Sequence, residues 1–230
     1  MPLATPAPDV RNPATPQRSI DWGRVAMVPF SVLFGGAAIA KLVSVLMDAS
    51  EGSASTAGAL VSGSLTGLFY CLIVWAYLRR GPARATTGIR PALIAAPVAT
   101  FLPFALPFAA SGGATEGLIL VGDLLLVLGL TWSVWSVRCL DRSLSIVPQA
   151  RELVDHGPYS LVKHPLYLGE VIAMTGLALT LGGALPLLLC GVLLLLQCYR
   201  AVEEEALLTT ALPGYEAYRS RTARVVPGLF

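Results

Sequence analysis

The sequence predicts an all-α, polytopic membrane protein of about six transmembrane helices. Three observations predict it. Of the 230 residues, 55% are hydrophobic and only 13% are charged, where a soluble domain carries about 25% charged residues. The apolar residues fall in long unbroken runs, not in the ten-residue alternating segments that mark a β-barrel. Finally, the sixteen Lys and Arg residues, Lys41 excepted, all fall on one side of a six-span chain.

The elements follow in order. Residues 1–24 are rich in Pro, Ala and Thr and read as a disordered cytoplasmic lead-in. They do not read as a signal peptide, because the first apolar run starts too late and is too long. Spans are expected at Val25–Met47, Ala57–Leu78, Pro91–Ala110 and Gly117–Val137. Two more, Leu166–Leu181 and Ala184–Tyr199, are separated by Gly182-Gly183. A single helix over both would exceed the roughly 20 residues of one span, so a tight hairpin is expected. Glu203–Ala211 continues the last helix until Pro213-Gly214 breaks it. A short basic amphipathic helix is expected beyond, lying along the interface.

The positive-inside rule then orients the chain. Arg11, Arg18 and Arg24 precede the first span; Arg79, Arg80, Arg84 and Arg90 follow the second; Arg138, Arg142, Arg151 and Lys163 follow the fourth; Arg200, Arg219, Arg221 and Arg224 follow the sixth. The other loops carry only Asp48, Glu51 and Glu116. Both termini and the 138–165 loop are therefore expected in the cytoplasm, and plasma membrane is the expected location.

Several function classes find no support. No basic stripe points to nucleic acid, and no metal-ligand spacing, P-loop or G-x-G-x-x-G after a strand is present. Cys71, Cys139, Cys190 and Cys198 form no C-x-x-C pair and read as small buried apolar residues.

The chemistry concentrates in Arg151–Glu170, RELVDHGPYSLVKHPLYLGE, which holds both histidines, His156 and His164. A second polar cluster, Arg200 with Glu203, Glu204 and Glu205, lies on the same predicted face. Pro165 can serve as the first residue of the fifth helix, and a helix start can hold a carboxylate. An imidazole and a phenol beside it could contact a sulfonium or an adenine ring. Taken separately, His164 reads as an interfacial cap and Glu203–Glu205 as a solvated helix end. Together they read as one site. Ionisable residues inside spans are further candidates. Lys41 and Asp123 lie at matching depth with opposite sign, which fits an ion pair or a snorkelling lysine. Glu170 lies at the inner end of the fifth span.

The run Gly157-Pro-Tyr-Ser-Leu-Val-Lys-His-Pro-Leu-Tyr-Leu-Gly169, then the hairpin, then Arg200-x-x-Glu203-Glu204 and Tyr215-x-x-Tyr218, resembles the isoprenylcysteine carboxyl methyltransferase family, whose core phospholipid N-methyltransferases share. The resemblance runs from Trp132 to the C-terminus. It implies residues 25–131 as N-terminal transmembrane helices and 132–230 as a methyltransferase core, with a C-terminal unit on the cytosolic face that binds S-adenosylmethionine. By match to the family, Leu153 and Val154 would give backbone contacts to the cofactor. Tyr159, His164, Pro165, Leu166 and Tyr167 would line its pocket, Glu204 would bind its ammonium group and Arg200 would face the substrate. The chain departs from the family at Lys163, usually Arg, which loses a bidentate fork, and at Leu212-Pro213-Gly214, usually Phe-Gly followed by acidic residues.

Three readings follow. The first is a membrane S-adenosylmethionine-dependent methyltransferase acting on a carboxylate of a prenylated or other lipophilic substrate, without a metal. The second is a phospholipid or amine N-methyltransferase. The third is a non-catalytic membrane scaffold with the same fold. In all three the partner is a membrane lipid or lipophilic molecule.

Overall fold

The computed structural model describes residues 21–48 and 54–224; the expected disorder of the N-terminal segment falls almost wholly outside them. The helices are α1 (Trp22–Asp48), α2 (Ala54–Arg79), α3 (Arg90–Phe101), α4 (Glu116–Leu140), α5 (Pro165–Leu181), α6 (Ala184–Ala211) and the short α7 (Tyr215–Arg221). This is an all-α fold. Five helical stretches are long and apolar enough to cross a membrane. α5, a shorter apolar helix of 17 residues, rises about 25 Å and packs along part of its longer neighbour α4. The third stretch is composite. Pro103 and Pro107 deny backbone donors, and the chain beyond α3 continues as a 3-10 helix, Leu102–Ala109.

The α4–α5 pair is the tightest contact. Gly122 and Gly129 on α4 meet Gly169, Ala173 and Gly176 on α5. A Cβ at Gly129 would stand 2.3 Å from the Ala173 nitrogen, and one at Gly176 would stand 2.5 Å from the Gly122 carbonyl. Lipid gives helices no hydrophobic reason to associate, so small residues that admit close backbone packing supply the attraction. α1, α2 and the 3-10 helix are joined by an aromatic cluster in which Phe30 packs edge-on against Phe101 and Phe104 at 4.9 and 5.0 Å. Leu106 then packs with Ala178 and Cys190, joining the 3-10 helix to α5 and α6.

The hairpin forms at the glycine pair. Gly182 and Gly183 have φ of 70° and 91°, a region open to glycine and costly for other residues. The continuous-helix alternative is thereby excluded. Lys41 and Asp123 make no ion pair. α2 stands between α1 and α4, and Asp123 turns toward it, with its Oδ2 3.6 Å from the Cβ position of Gly58. Lys41 is exposed along the outer side of α1.

The Arg-rich end is tied together across the chain. Arg80 pairs with Asp21, Arg24 Nε donates to the Tyr77 carbonyl at 2.9 Å, and Arg151 donates to the Gly81 carbonyl. A two-stranded ladder, β1 (Ala85–Thr86) with β2 (Gln149–Ala150), places Ala85 opposite Ala150. Burial pushes the Arg151 guanidinium down to about 10, so it stays cationic at neutral pH. The N-terminal helices thus brace the loop that carries the polar stretch.

Candidate functional site

At the Arg-rich end, the loop between α4 and α5, the end of α6 and α7 line an open cleft with a cavity volume of about 80 Å³. Its walls include Leu153, Val154, Tyr159, His164, Leu166, Tyr167 and Glu204. Sequence reasoning missed Leu144, Gln149, Leu208, Tyr215 and Tyr218, which complete the enclosure.

The wall is built from local rules. Gly157 takes φ of 61° and starts the turn Gly157–Ser160, which turns Tyr159 inward to 6% exposure. His164 is the residue before α5 and Pro165 its first helical residue, as the fixed φ of proline favours. The His164 side chain caps no backbone group. Its ring stacks on Tyr167 at 5.3 Å and 7° and lies between two carboxylates, with Nε2 3.3 Å from Glu205 Oε1 and Nδ1 3.9 Å from Glu204 Oε2.

Glu204 lies in the wall with its side chain 28% exposed, and its Oε2 accepts a 2.7 Å hydrogen bond from the Tyr167 hydroxyl. It is an anion fixed in place yet open to the cleft. Glu205, expected to be a solvated helix end, is instead 2% exposed. It is surrounded by Lys163 at 3.3 Å, His164 at 3.3 Å, Arg219 at 3.5 Å and Arg224 at 2.6 Å. Successive residues on a helix point about 100° apart, so Glu204 faces the cleft while its neighbour faces the packed side.

Pro165, expected in the wall, and Arg200, expected to face the substrate, both lie behind it. Pro165 is fully buried and does not line the cleft, because its ring is packed in the first turn of α5. Arg200 is 3% exposed, with its guanidinium carbon 4.6 Å over the Tyr167 ring. It donates to Gln197 Oε1 at 2.9 Å and to the Ile146 carbonyl at 2.8 Å, while its Nε has no partner. Gln197 Nε2 in turn donates to Glu170 Oε2 at 2.6 Å. Gln197 was also missed, though a lone amide in the run Leu193–Tyr199 is a signal that the intramembrane polar rule would have found.

The short α7, expected along the membrane interface, packs on the site. Tyr215 and Tyr218 join Ala85, Ala150, Leu207 and Leu212 in one buried cluster, and the Tyr218 hydroxyl donates to the Tyr159 carbonyl at 2.7 Å. Burial pushes both phenols well above their usual range, so both remain neutral donors. The Tyr215 hydroxyl is buried without a hydrogen-bond partner. A cleft lined by Glu204, held by Tyr167, together with Arg151, Lys163, four tyrosines and an unused donor can hold a zwitterionic ligand with an aromatic part. Among the described residues, no group of His, Cys, Asp or Glu side chains could hold a metal ion.

Residues 118–212 match the phospholipid methyltransferase family model. The matched stretch takes in α4, the cleft loop and the α5–α6 hairpin. No curated protein matches the chain.

Proposed function

We propose that the chain, whose residues 118–212 match the phospholipid methyltransferase family model and whose helices are long and apolar enough to cross a membrane, transfers a methyl group from S-adenosylmethionine to a carboxylate of a prenylated or other lipophilic substrate, as the isoprenylcysteine carboxyl methyltransferases do. The observation that carries the cofactor assignment is Glu204, a cleft-facing carboxylate held by Tyr167. The residues fit the cofactor. Glu204 is the partner for its ammonium group, the unpaired Tyr215 hydroxyl suits its carboxylate, and the tyrosine walls suit its adenine and sulfonium. Bound S-adenosylmethionine supplies an electrophilic methyl group on a sulfonium.

The chain's own residues supply orientation and dryness. A carboxylate acceptor is already ionised at neutral pH and needs no base; it needs positioning and exclusion of water. Tyr159, Tyr167 and Tyr218 wall off the cleft. Arg200 retains Nε as an unused donor, and a carboxylate is its natural acceptor. The cleft lies at the Lys/Arg-rich end, which the positive-inside rule assigns to the cytoplasm together with both termini.

The family match favours a second reading, an amine acceptor on a phospholipid or small amine. An amine must lose a proton, and Glu170, which accepts from Gln197, is the base this reading would use. The test is methyl transfer from labelled S-adenosylmethionine by the detergent-purified chain to farnesylated cysteine, fatty acids and phospholipids. A base-labile methyl ester supports the first reading and a base-stable methylamine the second. Failure of the protein to bind S-adenosylmethionine would overturn both and leave the scaffold reading.

A further inference from the structure

Glu205 does not itself line the cleft, yet it is the most heavily paired carboxylate among the described residues. Its partners come from three separate pieces of chain. Lys163 and His164 precede α5, Arg219 lies on α7, and Arg224 follows α7. Arg224 engages both oxygens, Nε with Oε1 at 2.6 Å and Nη2 with Oε2 at 3.3 Å, the two-pronged geometry that gives charge-assisted pairs their strength. Three cations around one carboxylate repel one another, and Glu205 is the anion that all three share.

The backbone follows the same path. The Lys163 amide donates to the Ala223 carbonyl at 2.8 Å and the His164 amide to the Arg224 carbonyl at 3.2 Å, and Val162 forms a parallel bridge with Ala223. Arg221 adds a 2.8 Å pair with Asp155. What these contacts fasten is the cleft wall made by Tyr215 and Tyr218. Between α6 and that wall lies Leu212-Pro213-Gly214. Gly214 has φ of 84°, with nothing within 4 Å of its Cβ position. Leu212 itself is buried, so the open space is confined to Gly214, which serves this turn as its hinge point. α7 packs on the cleft at one end, is pinned by Glu205 at the other, and is joined to the membrane helices by that hinge.

We propose that Glu205 is the latch of the cleft, a positioning residue that holds α7 and residues 222–224 against the His164 loop and so sets how fast a ligand enters and leaves. This rests on the reading of the cleft as the S-adenosylmethionine site. In the closed arrangement seen here, opening the Tyr215–Tyr218 wall means separating Glu205 from Arg219 and Arg224 together.

A latch differs from a ligand contact in its kinetics. Losing a contact speeds release alone, whereas loosening a latch speeds both entry and release. The experiment is stopped-flow binding of S-adenosylmethionine to the full-length protein in detergent, with hydrogen exchange over residues 215–223 measured on the same samples without ligand. Glu205→Gln and Arg224→Gln should each raise the dissociation rate about tenfold, the scale of one charge-assisted hydrogen bond, and should raise the association rate as well. Exchange over 215–223 should speed up while the α4–α5 pair stays protected. The double variant should be no worse than the stronger single one, because both act on one pair. Arg224→Gln guards against Glu205→Gln failing to fold, since Arg224 leaves no buried anion without other partners. Parent-like exchange over 215–223 in both variants overturns the latch, as does faster release with unchanged entry. If the parent binds no S-adenosylmethionine, the functional reading fails and exchange alone decides the latch.

Discussion

Gly129→Ala tests how the fold positions the site. The added Cβ would lie 2.3 Å from the Ala173 nitrogen, 2.7 Å from its Cα and 2.7 Å from the Gly169 carbonyl. All three are backbone atoms, so no side chain can rotate away. Restoring van der Waals contact requires α4 and α5 to separate by about 1 Å. The next contact up the seam is Gly169 against Ser133, where a Cβ on Gly169 would lie 2.4 Å from Ser133 Oγ. The displacement therefore reaches the first turns of α5, which carry His164 and Tyr167. Overpacking a close-packed seam costs about 1–3 kcal/mol, and the lost small-residue packing is the main attraction between helices in lipid. The control is Gly191→Ala on α6, where nothing lies within 4 Å of the Cβ position. Thermal unfolding of the detergent-purified variants, followed by helical circular dichroism, should show Gly129→Ala melting several degrees below the parent and Gly191→Ala melting with it. Equal melting of all three, or equal loss in both variants, would refute the packing argument.

Glu204→Gln keeps the Tyr167 hydrogen bond and removes the charge; S-adenosylmethionine affinity by calorimetry should fall about ten- to a hundredfold, equivalent to about 1.5–3 kcal/mol, with little change in melting because the side chain is partly exposed. Gly182→Ala should lower the melting temperature, since its φ of 70° strains an L residue and its Cβ would stand 2.7 Å from the Gly112 carbonyl. In a cysteine-free background, Arg84→Cys should be labelled by a membrane-impermeant maleimide only after cells are opened, and Ser111→Cys in intact cells; the reverse pattern would invert the assigned orientation.

Much of the fold was legible because hydropathy, glycine breaks and charge are local properties. The six apolar stretches, the hairpin at Gly182-Gly183 and the end of α6 before Pro213 stand where the chain's own chemistry places them. The site was legible in outline for a related reason. Gly157-Pro158 favours a turn and Pro165 favours a helix start, and these local preferences set Tyr159, His164 and Tyr167 in the stretch that lines the cleft.

What the sequence left open concerns direction and partnership. Glu203, Glu204 and Glu205 are chemically alike, and only the packing of α7 and Arg224 shows that Glu204 faces the cleft while Glu205 is buried among cations. Matched depth placed Lys41 and Asp123 together, but depth says nothing about rotation or neighbours, and α2 lies between their helices. The basic character of α7 suggested the membrane surface, and only the tertiary structure shows that Tyr215 and Tyr218 are buried against Leu207 and Leu212. By itself, the sequence determined which segments leave water and which end of the bundle carries the charge, because hydrophobicity acts residue by residue. The tertiary structure alone decided which carboxylate is a wall and which a latch, because a buried charge is defined by the groups that surround it.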